Sequence, residues 1–387
     1  MRRVSGEFEE IGHSGGKITF EVVTDAGGRR GYQTSFRSSR PVPAVLIELY
    51  ALADSGVAVG INRRMGMGVE PEPPPVNGCF SVLVASDSEG KFGHTCQKCR
   101  GYWRSGPWPK HCPYCGCTAP PHKFLSAAQR RYIHHYCALL VQASATESDG
   151  KVVLDMDEVA DAVGKEGEKP SFYISEKSQQ NKFTCESCEE FNDILGRFGF
   201  CSLCGTRNDL SIFERQTVPG VRDRLKTGAP PEDCLRDGVS AFDSFIAQYA
   251  KQLSFWVKMT QRRKDRLRSH SFHNLAELRE TFQNWFDINV CSGMRDDECH
   301  NVSIMFFRRH LYEHNGGEVD QKYLDNTGEA NLQVKQYIRE KQEDVHELLS
   351  SLVKMARNVH SGFHQLLPPD QDPIQAFEDK KKRVRCS

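Results

Sequence analysis

The chain has 387 residues, 38% hydrophobic and 26% charged, with a mean hydropathy of −0.56; such a chain buries a core and is not a disordered segment. Its 51 basic and 51 acidic residues cancel, so indiscriminate electrostatic capture of nucleic acid is excluded and any nucleic-acid site must be local. No apolar run approaches the ~20 residues of a membrane span, and the opening MRRVSGEFEEIGHSGG has no apolar stretch of the kind a secretion signal needs, so a cytoplasmic protein with no membrane partner is expected.

At roughly 150 residues per domain, the length allows two or three domains. Residues 1–90 combine strand-like runs at 17–23 and 80–85 with an apolar helix expected over 44–53, just after Pro41 and Pro43. A Pro-rich stretch at 70–75 reads as a rigid loop. This segment is expected to be a small α+β domain, and no catalytic motif assigns it a role.

The fifteen cysteines are an odd number, and dense cysteine without an export signal points to metal binding or catalysis. Eight of them repeat one pattern. Cys96-x2-Cys99 is followed after twelve residues by Cys112-x2-Cys115, and Cys185-x2-Cys188 after twelve residues by Cys201-x2-Cys204. Thr95 and Thr184 precede the quartets, and Gly116 and Gly205 follow them. Each Cys-x2-Cys forms a tight knuckle that aims two thiolates at one ion, and two knuckles complete a tetrahedral shell. Soft, all-sulfur ligation leaves zinc or iron–sulfur, and the knuckle spacing favours zinc. With four protein ligands and no open position, both sites are expected to be structural, giving two Zn2+ per chain. Cys117 and His111 lie beside the first quartet, where either could substitute as a ligand; the expectation is that they are neighbours only. Cys79, Cys137, Cys234, Cys291, Cys299 and Cys386 show no ligand spacing and read as core or surface thiols.

Both quartets resemble zinc ribbons, a resemblance that implies metal and leaves open DNA, RNA, protein or mere support of a small domain. The first carries Tyr102, Trp103, Arg104 and Trp108 between its knuckles. Aromatics with an arginine suit base stacking, and they equally suit hydrophobic cover for a tiny domain. The second carries Phe191, Leu195, Phe198 and Phe200, which suggests packing.

Between the quartets a helix is expected over 125–145, with Tyr132, Tyr136, Leu139, Leu140 and Ala143 at helical spacing. His134 and His135 are adjacent on it and cannot face one ion together. A short helix is expected at 155–163, capped by Asp155 or Asp157, then a loop at 164–169. The duplicated ribbon region would thus occupy 91–215. Residues 216–239, with Pro219, Gly220, Gly228, Pro230 and Pro231, read as a linker.

From residue 240 the pattern is helical. Phe242, Phe245, Ile246, Tyr249 and Leu253 form one stripe, and that helix runs into a basic end at 261–268. Asn274 is placed to cap a second helix reaching Trp285 and Phe286. A third spans about 297–314 and a fourth about 332–366. Four amphipathic helices with mostly short connections imply an all-α four-helix bundle over 240–368. The basic tail at 369–387 reads as a solvated, frayed end. The fold class expected for the whole is therefore multidomain α+β with a helical C-terminal bundle.

The third helix ends in Arg308-Arg309-His310-Leu311-Tyr312-Glu313-His314-Asn315-Gly316-Gly317. Asn-Gly-Gly supplies the left-handed conformations that stop a helix. His310 and His314, four apart, share a face. Arg309 and His314, five apart, are separated by about 140° and converge only if the helix unwinds there or a second subunit contributes. His310 to His314 also spells H-x-x-E-H, a zincin order reversed, for which no third ligand stands out.

This stretch, with Glu318, Val319, Asp320, Lys322, Tyr323 and Leu324 after it, resembles the HEPN domain family (higher eukaryotes and prokaryotes nucleotide-binding). That family carries Arg, a polar residue, a short spacer and His at a helix end in a four-helix bundle. The resemblance covers about a third of the chain, 240–368. It implies a metal-independent endoribonuclease acting as a homodimer, with two copies of the motif facing each other. His314 would do acid/base work, Arg309 would stabilise phosphorane charge, His310 would orient the phosphate or His314, and Asn315 would supply an amide donor. By family analogy the setting would be a bacterial toxin or anti-phage defence, with a phage-derived or protein trigger. The competing expectation is a non-catalytic zinc-ribbon adaptor that binds nucleic acid or protein and uses its bundle to dimerise.

Overall fold

A computed structural model of the chain describes residues 17–37, 45–63, 72–86, 89–145, 148–155, 180–269 and 272–386. Contacts divide it into two units, one comprising Met1–Thr206 with Asp370–Ser387, the other Arg207–Pro369. The first mixes sheets with helices and the second is helical. Among the described residues no helix is long and apolar enough to cross a membrane.

In the first unit, β1 (Lys17–Thr24) pairs antiparallel with β2 (Arg30–Arg37) on one side and β8 (Gly150–Asp155) on the other. A second antiparallel sheet has β3 (Leu46–Leu52) between β4 (Ala58–Asn62) and β5 (Cys79–Ala85). The helix expected over 44–53 is therefore this central strand. A continuous apolar run does not distinguish a buried helix from a buried strand. Here both strand edges are taken by partners, and Ile47, Leu49 and Ala51 alternate into the core. The expected helix near 125–145 forms as α1 (Ala127–Ala145), after a 3-10 turn at Pro121–Phe124. It packs Tyr132, Ile133, Tyr136 and Leu140 against Phe20, Leu49, Val82, Val84 and Leu154. Pro41, Pro43, the start of the Pro-rich stretch, the expected short helix after Asp155 and the loop at 164–169 lie outside the described residues.

The two cysteine repeats share one sheet. Each contributes a hairpin, β6 (Phe92–Thr95) with β7 (Tyr102–Ser105) and β9 (Gln180–Thr184) with β10 (Phe191–Leu195). The order is β6-β7-β10-β9, and Arg104 stands opposite Asp193 where β7 meets β10. These two residues occupy equivalent positions of the repeats, 89 residues apart. Arg104 donates to Asp193 (3.2 Å) and to Glu89 (2.9 Å), with Arg104 1% and Asp193 0% exposed. Tyr102, Trp103 and Arg104 are buried, and Trp103 meets Phe124 edge-on. The base-stacking expectation for these three residues is thereby overturned, because the sheet of the second repeat and Phe124 cover the surface a base would need.

The second unit begins with a helical turn at Asp209–Ile212 and a π turn at Phe213–Thr217 that lead unbroken into α2 (Val218–Lys226), followed by α3 (Pro231–Trp256). The expected linker at 216–239 is thus helical. Pro231 opens α3, where no amide bond is lost, and Pro219 follows directly on the π turn within the continuous helical run. Next come α4 (Gln261–Ser269), α5 (Leu275–Phe286) and α6 (Asp296–His314). The Asn274 side chain caps α5, accepting from the amides of Ala276 and Glu277. Asp320 caps α7 (Gln321–Thr327) in the same way. The expected long helix at 332–366 starts only at Gln342, as α8 (Gln342–Leu366). Residues 335–338 instead return to the α6–α7 turn, with Lys335 N bonding Val319 O and Ile338 N bonding Gly317 O. Helix α8 packs Val345, Leu349, Leu352 and Val359 along α3. A Cβ on Gly238 of α3 would come within 2.8 Å of Leu349 Cδ2, so glycine permits this approach.

The tail is α9 (Gln371–Cys386), and it belongs to the first unit. Asp370 N bonds Cys204 O, Lys110 pairs with Asp370, Lys380 pairs with Glu189, and Ile374 packs on the second cysteine cluster. The frayed end expected from its basic run is replaced by a helix that these contacts hold.

Removing one partner of a buried ion pair strands the other charge. Asp193→Ala is expected to destabilise the first unit by about 3 kcal/mol, the low end of that effect because Glu89 still reaches Arg104. Hydrogen exchange at β7 and β10 would read it locally, and unchanged protection there would refute it.

Candidate metal centres and candidate active site

The cysteine knuckles are built twice by the same backbone bonds. Cys96 N donates to Gly101 O as Cys185 N does to Glu190 O, and Arg100 N donates to Cys96 O as Glu189 N does to Cys185 O. Arg100 and Glu189, at φ 60° and 64°, make the tight turn. In the second knuckles Gly116 N bonds Cys112 O and Gly205 N bonds Cys201 O, with both glycines at positive φ. The repeats also lock reciprocally. His111 N donates to Ser202 O and Phe200 N to Pro113 O. A Cβ on Gly116 would strike the Phe200 ring, and one on Gly205 would strike the His111 ring, each at 3.0 Å.

The thiols converge. In the first repeat Cys96 and Cys115 sulfurs are 3.8 Å apart and Cys99 and Cys112 3.5 Å. The equivalent pairs in the second, Cys185 with Cys204 and Cys188 with Cys201, are 3.6 and 3.5 Å apart. A tetrahedron of sulfurs ~2.3 Å from an ion has edges of ~3.8 Å, and these four separations lie close to that edge. Among the described residues no cysteine forms a disulfide. All four thiols of the second cluster are buried and lie within 4.8 Å of one another. In the first, the four that satisfy this are Cys96, Cys112, Cys115 and Cys117, while Cys99 is exposed. Cys117, expected to be a bystander, has its sulfur 3.3 Å from that of Cys96. His111 has its place in the packing against Gly205. Outside the clusters, Cys137, Cys234, Cys291 and Cys299 are buried and Cys79 is half-buried.

The end of α6 is the other chemically dense place. His310, Glu313, His314 and Asn315 are exposed, and the His310 and His314 rings stand 4.5 Å apart. Asn315 closes the helix through its amide on Leu311 O, and Gly316 and Gly317 follow at φ 61° and 88°. The Asn315 side-chain amide donates to Asp320 (2.8 Å), which ties the helix end to the cap of α7. The adjacent arginines have different surroundings. Arg308 is held by Glu329 (2.8 Å), Glu340 (3.0 Å) and the Tyr323 hydroxyl (3.1 Å). Burial opposes its charge, and these partners outweigh burial and raise its pKa. Arg309 forms no ion pair among the described residues, and its Nε is buried without a hydrogen bond.

Sequence reasoning did not find His273, whose Nδ1 lies 3.7 Å from Asp243. Burial lowers its pKa, Asp243 opposes this, and the nearby Arg309 adds to it. No spacing links Asp243, His273 and Arg309, which come from three separate places in the helical unit. Burial, then His314 and Lys322, lower the pKa of His310, so its imidazole is neutral at pH 7. A cleft of about 220 Å³ opens beside Gly316, lined by Glu232, Arg236, Tyr312, Tyr337 and Arg339 among others. Among the described residues no third ligand joins His310 and His314 to make a metal-binding group.

No protein-family model matches the chain, and comparison with curated proteins and with solved structures finds no match.

Two ions per chain are expected from elemental analysis of freshly purified protein, one for each cluster. Cys185→Ala is expected to lose one of them and to leave the helical circular dichroism of the second unit in place. Less than one ion per chain in the wild type would rule out the metal centres.

Proposed function

We propose that the chain is a metal-independent endoribonuclease of the HEPN type, working as a homodimer, with two structural zinc ribbons in its other unit. The observation that carries the ribonuclease reading is the pair of exposed imidazoles, His310 and His314, with ring centroids 4.5 Å apart on the last turn of α6, beside an arginine that no carboxylate occupies. Attack of a ribose 2′-hydroxyl on its own phosphodiester needs a proton removed and the leaving 5′-oxygen protonated. Imidazole does either near neutrality. His314 takes the acid/base role. The neutral His310 donates a hydrogen bond to phosphate or to His314. Arg309 supplies a fixed cation for the charge that builds on the phosphorane. Asn315 acts through Asp320 as a brace of the helix end. The second subunit brings its own Arg309 and His314, which closes the angular gap along one helix. The cleft beside Gly316, lined by Tyr337 and by Arg236 and Arg339 in their pairs with Asp233 and Glu232, is the place for a flanking nucleotide.

The four-helix bundle of the HEPN family corresponds in this reading to α3, α5, α6 and α8. Sulfur-only donors at tetrahedral spacing, held by repeated knuckles, support zinc as the ion. The burial of Tyr102, Trp103 and Arg104 leaves the ribbons a supporting role. By analogy with effectors of this type, the setting is a toxin or anti-phage system with a trigger that licenses cutting.

The purified dimer is expected to cut single-stranded RNA in EDTA, to leave cyclic-phosphate ends and to spare DNA, which lacks the nucleophile. His314→Ala is expected to lower the rate by about 10²–10⁴-fold, and Arg309→Ala by a similar factor, with circular dichroism unchanged. Equal RNA degradation by wild type and His314→Ala would reject the assignment.

A further inference from the structure

The two cysteine clusters are copies of one design, and they differ at one telling position. Cys117 and Thr206 are equivalents, and the carbonyl of each accepts from the first thiol-bearing residue of its second knuckle, Cys112 N to Cys117 O and Cys201 N to Thr206 O. In the second cluster the Thr206 hydroxyl lies 3.2 Å from Cys204 sulfur. In the first cluster the same place holds a fifth sulfur, 3.3 Å from Cys96.

We propose that the first cluster is a five-thiol, four-coordinate metal site in which Cys99 and Cys117 serve interchangeably as the fourth ligand, so that its ion exchanges where the ion of the second cluster is locked. Two geometries coexist. Cys99 keeps the contact with Cys112 (3.5 Å) that its equivalent Cys188 keeps with Cys201 (3.5 Å), as the repeated spacing requires. Cys117 nevertheless completes the tightest group of four, with Cys96, Cys112 and Cys115. Five sulfurs cannot all bind a tetrahedral ion at ~2.3 Å. One is therefore a spare held against the coordination shell.

A spare thiolate in that position opens an associative route. As it bonds the ion, the outgoing sulfur leaves with its electron pair and takes a proton from water, and no net redox change occurs. Exposure favours the route at the first cluster, where Cys99 reaches solvent and Cys115 and Cys117 are half-buried. At the second, all four thiols are buried and Ile374 of α9 packs over them. The ligand that gains from this difference is a thiol-rich or chelating acceptor of the same metal ion.

The inference rests on the metal reading of the clusters, and the second cluster in the same sample separates the two. In the full chain, Cys99→Ala and Cys117→Ala are each expected to retain two ions, and the double variant one. Cys188→Ala, which has only Thr206 in reserve, is expected to retain one. A chromogenic chelator should withdraw ions from the wild type in two phases, and Cys117→Ala should lose the fast phase without losing an ion. The ion that remains in the double variant also reports that the first unit is folded. If Cys99→Ala alone loses an ion, Cys117 is a bystander and the proposal fails. If Cys117→Ala alone loses one, Cys99 is the bystander and it fails equally. A wild type with no ion at either cluster overturns the metal reading itself, and this proposal with it.

Discussion

Arg104 and Asp193 form a desolvated ion pair between equivalent positions of two cysteine repeats, and the architecture of the first unit depends on it. Taking two charges out of water costs several kcal/mol per ion by general estimate. The pair persists because Glu89 adds a second carboxylate and the β7–β10 ladder fixes the register. A knuckle hairpin of some twenty residues has too little apolar area to be stable alone. Set back to back, the two repeats give each other what each lacks. Phe200 covers Gly116, His111 covers Gly205, the amides of Lys110 and His111 donate to Ser202 O, and Phe200 N donates to Pro113 O. The clusters are thus two ends of one body.

The repeated backbone makes the side-chain differences informative. Trp103 in the first repeat faces Phe124 and anchors the apolar core. Its equivalent, Asn192, is buried and turns its carbonyl to Ser202 N (2.8 Å) and its amide toward the sulfur of Cys201 (3.7 Å). At the second cluster the Asn192 amide points at the Cys201 sulfur and Ile374 of α9 packs on the buried thiols. The first has Trp103 and Phe124 packed with it, an exposed Cys99, and a fifth sulfur, that of Cys117, beside Cys96. One backbone design thus stands in two chemical environments.

The cysteine pattern was legible because a knuckle is a local object, set by four or five residues and a positive φ. Helix caps at Asn274 and helix stops at Asn315–Gly317 were legible for the same reason. What was not legible depended on partners distant in sequence. Whether 44–53 is helix or strand is decided by β4 and β5 on either side. Whether Trp103 and Arg104 face a base or a core is decided by a strand 89 residues away. The prolines near 219 and 231 signalled breaks, yet Pro231 opens a helix, where proline does no harm, and Pro219 is taken up just after a π turn. The basic tail resembled a solvated end because Glu189 and Cys204, which receive it, lie far upstream. His273 escaped notice because nothing in sequence joins it to Arg309.

In the last turns of α6 the inward and outward residues have different surroundings. Successive residues of a helix point about 100° from one another, so Arg308 and Arg309 face different surroundings. Arg308 is spent on Glu329, Glu340 and Tyr323, and Tyr312 shares Glu340 (2.6 Å), which binds the turn at 328–341 to the helix. Leu311 is the apolar contact, buried with Val319, Tyr323 and Ile338. What remains outward is His310, Glu313 and His314, with Arg309 between them and His273. A helix end pinned by its inner face can carry unpaired imidazoles and a cation on its outer face without loss of order.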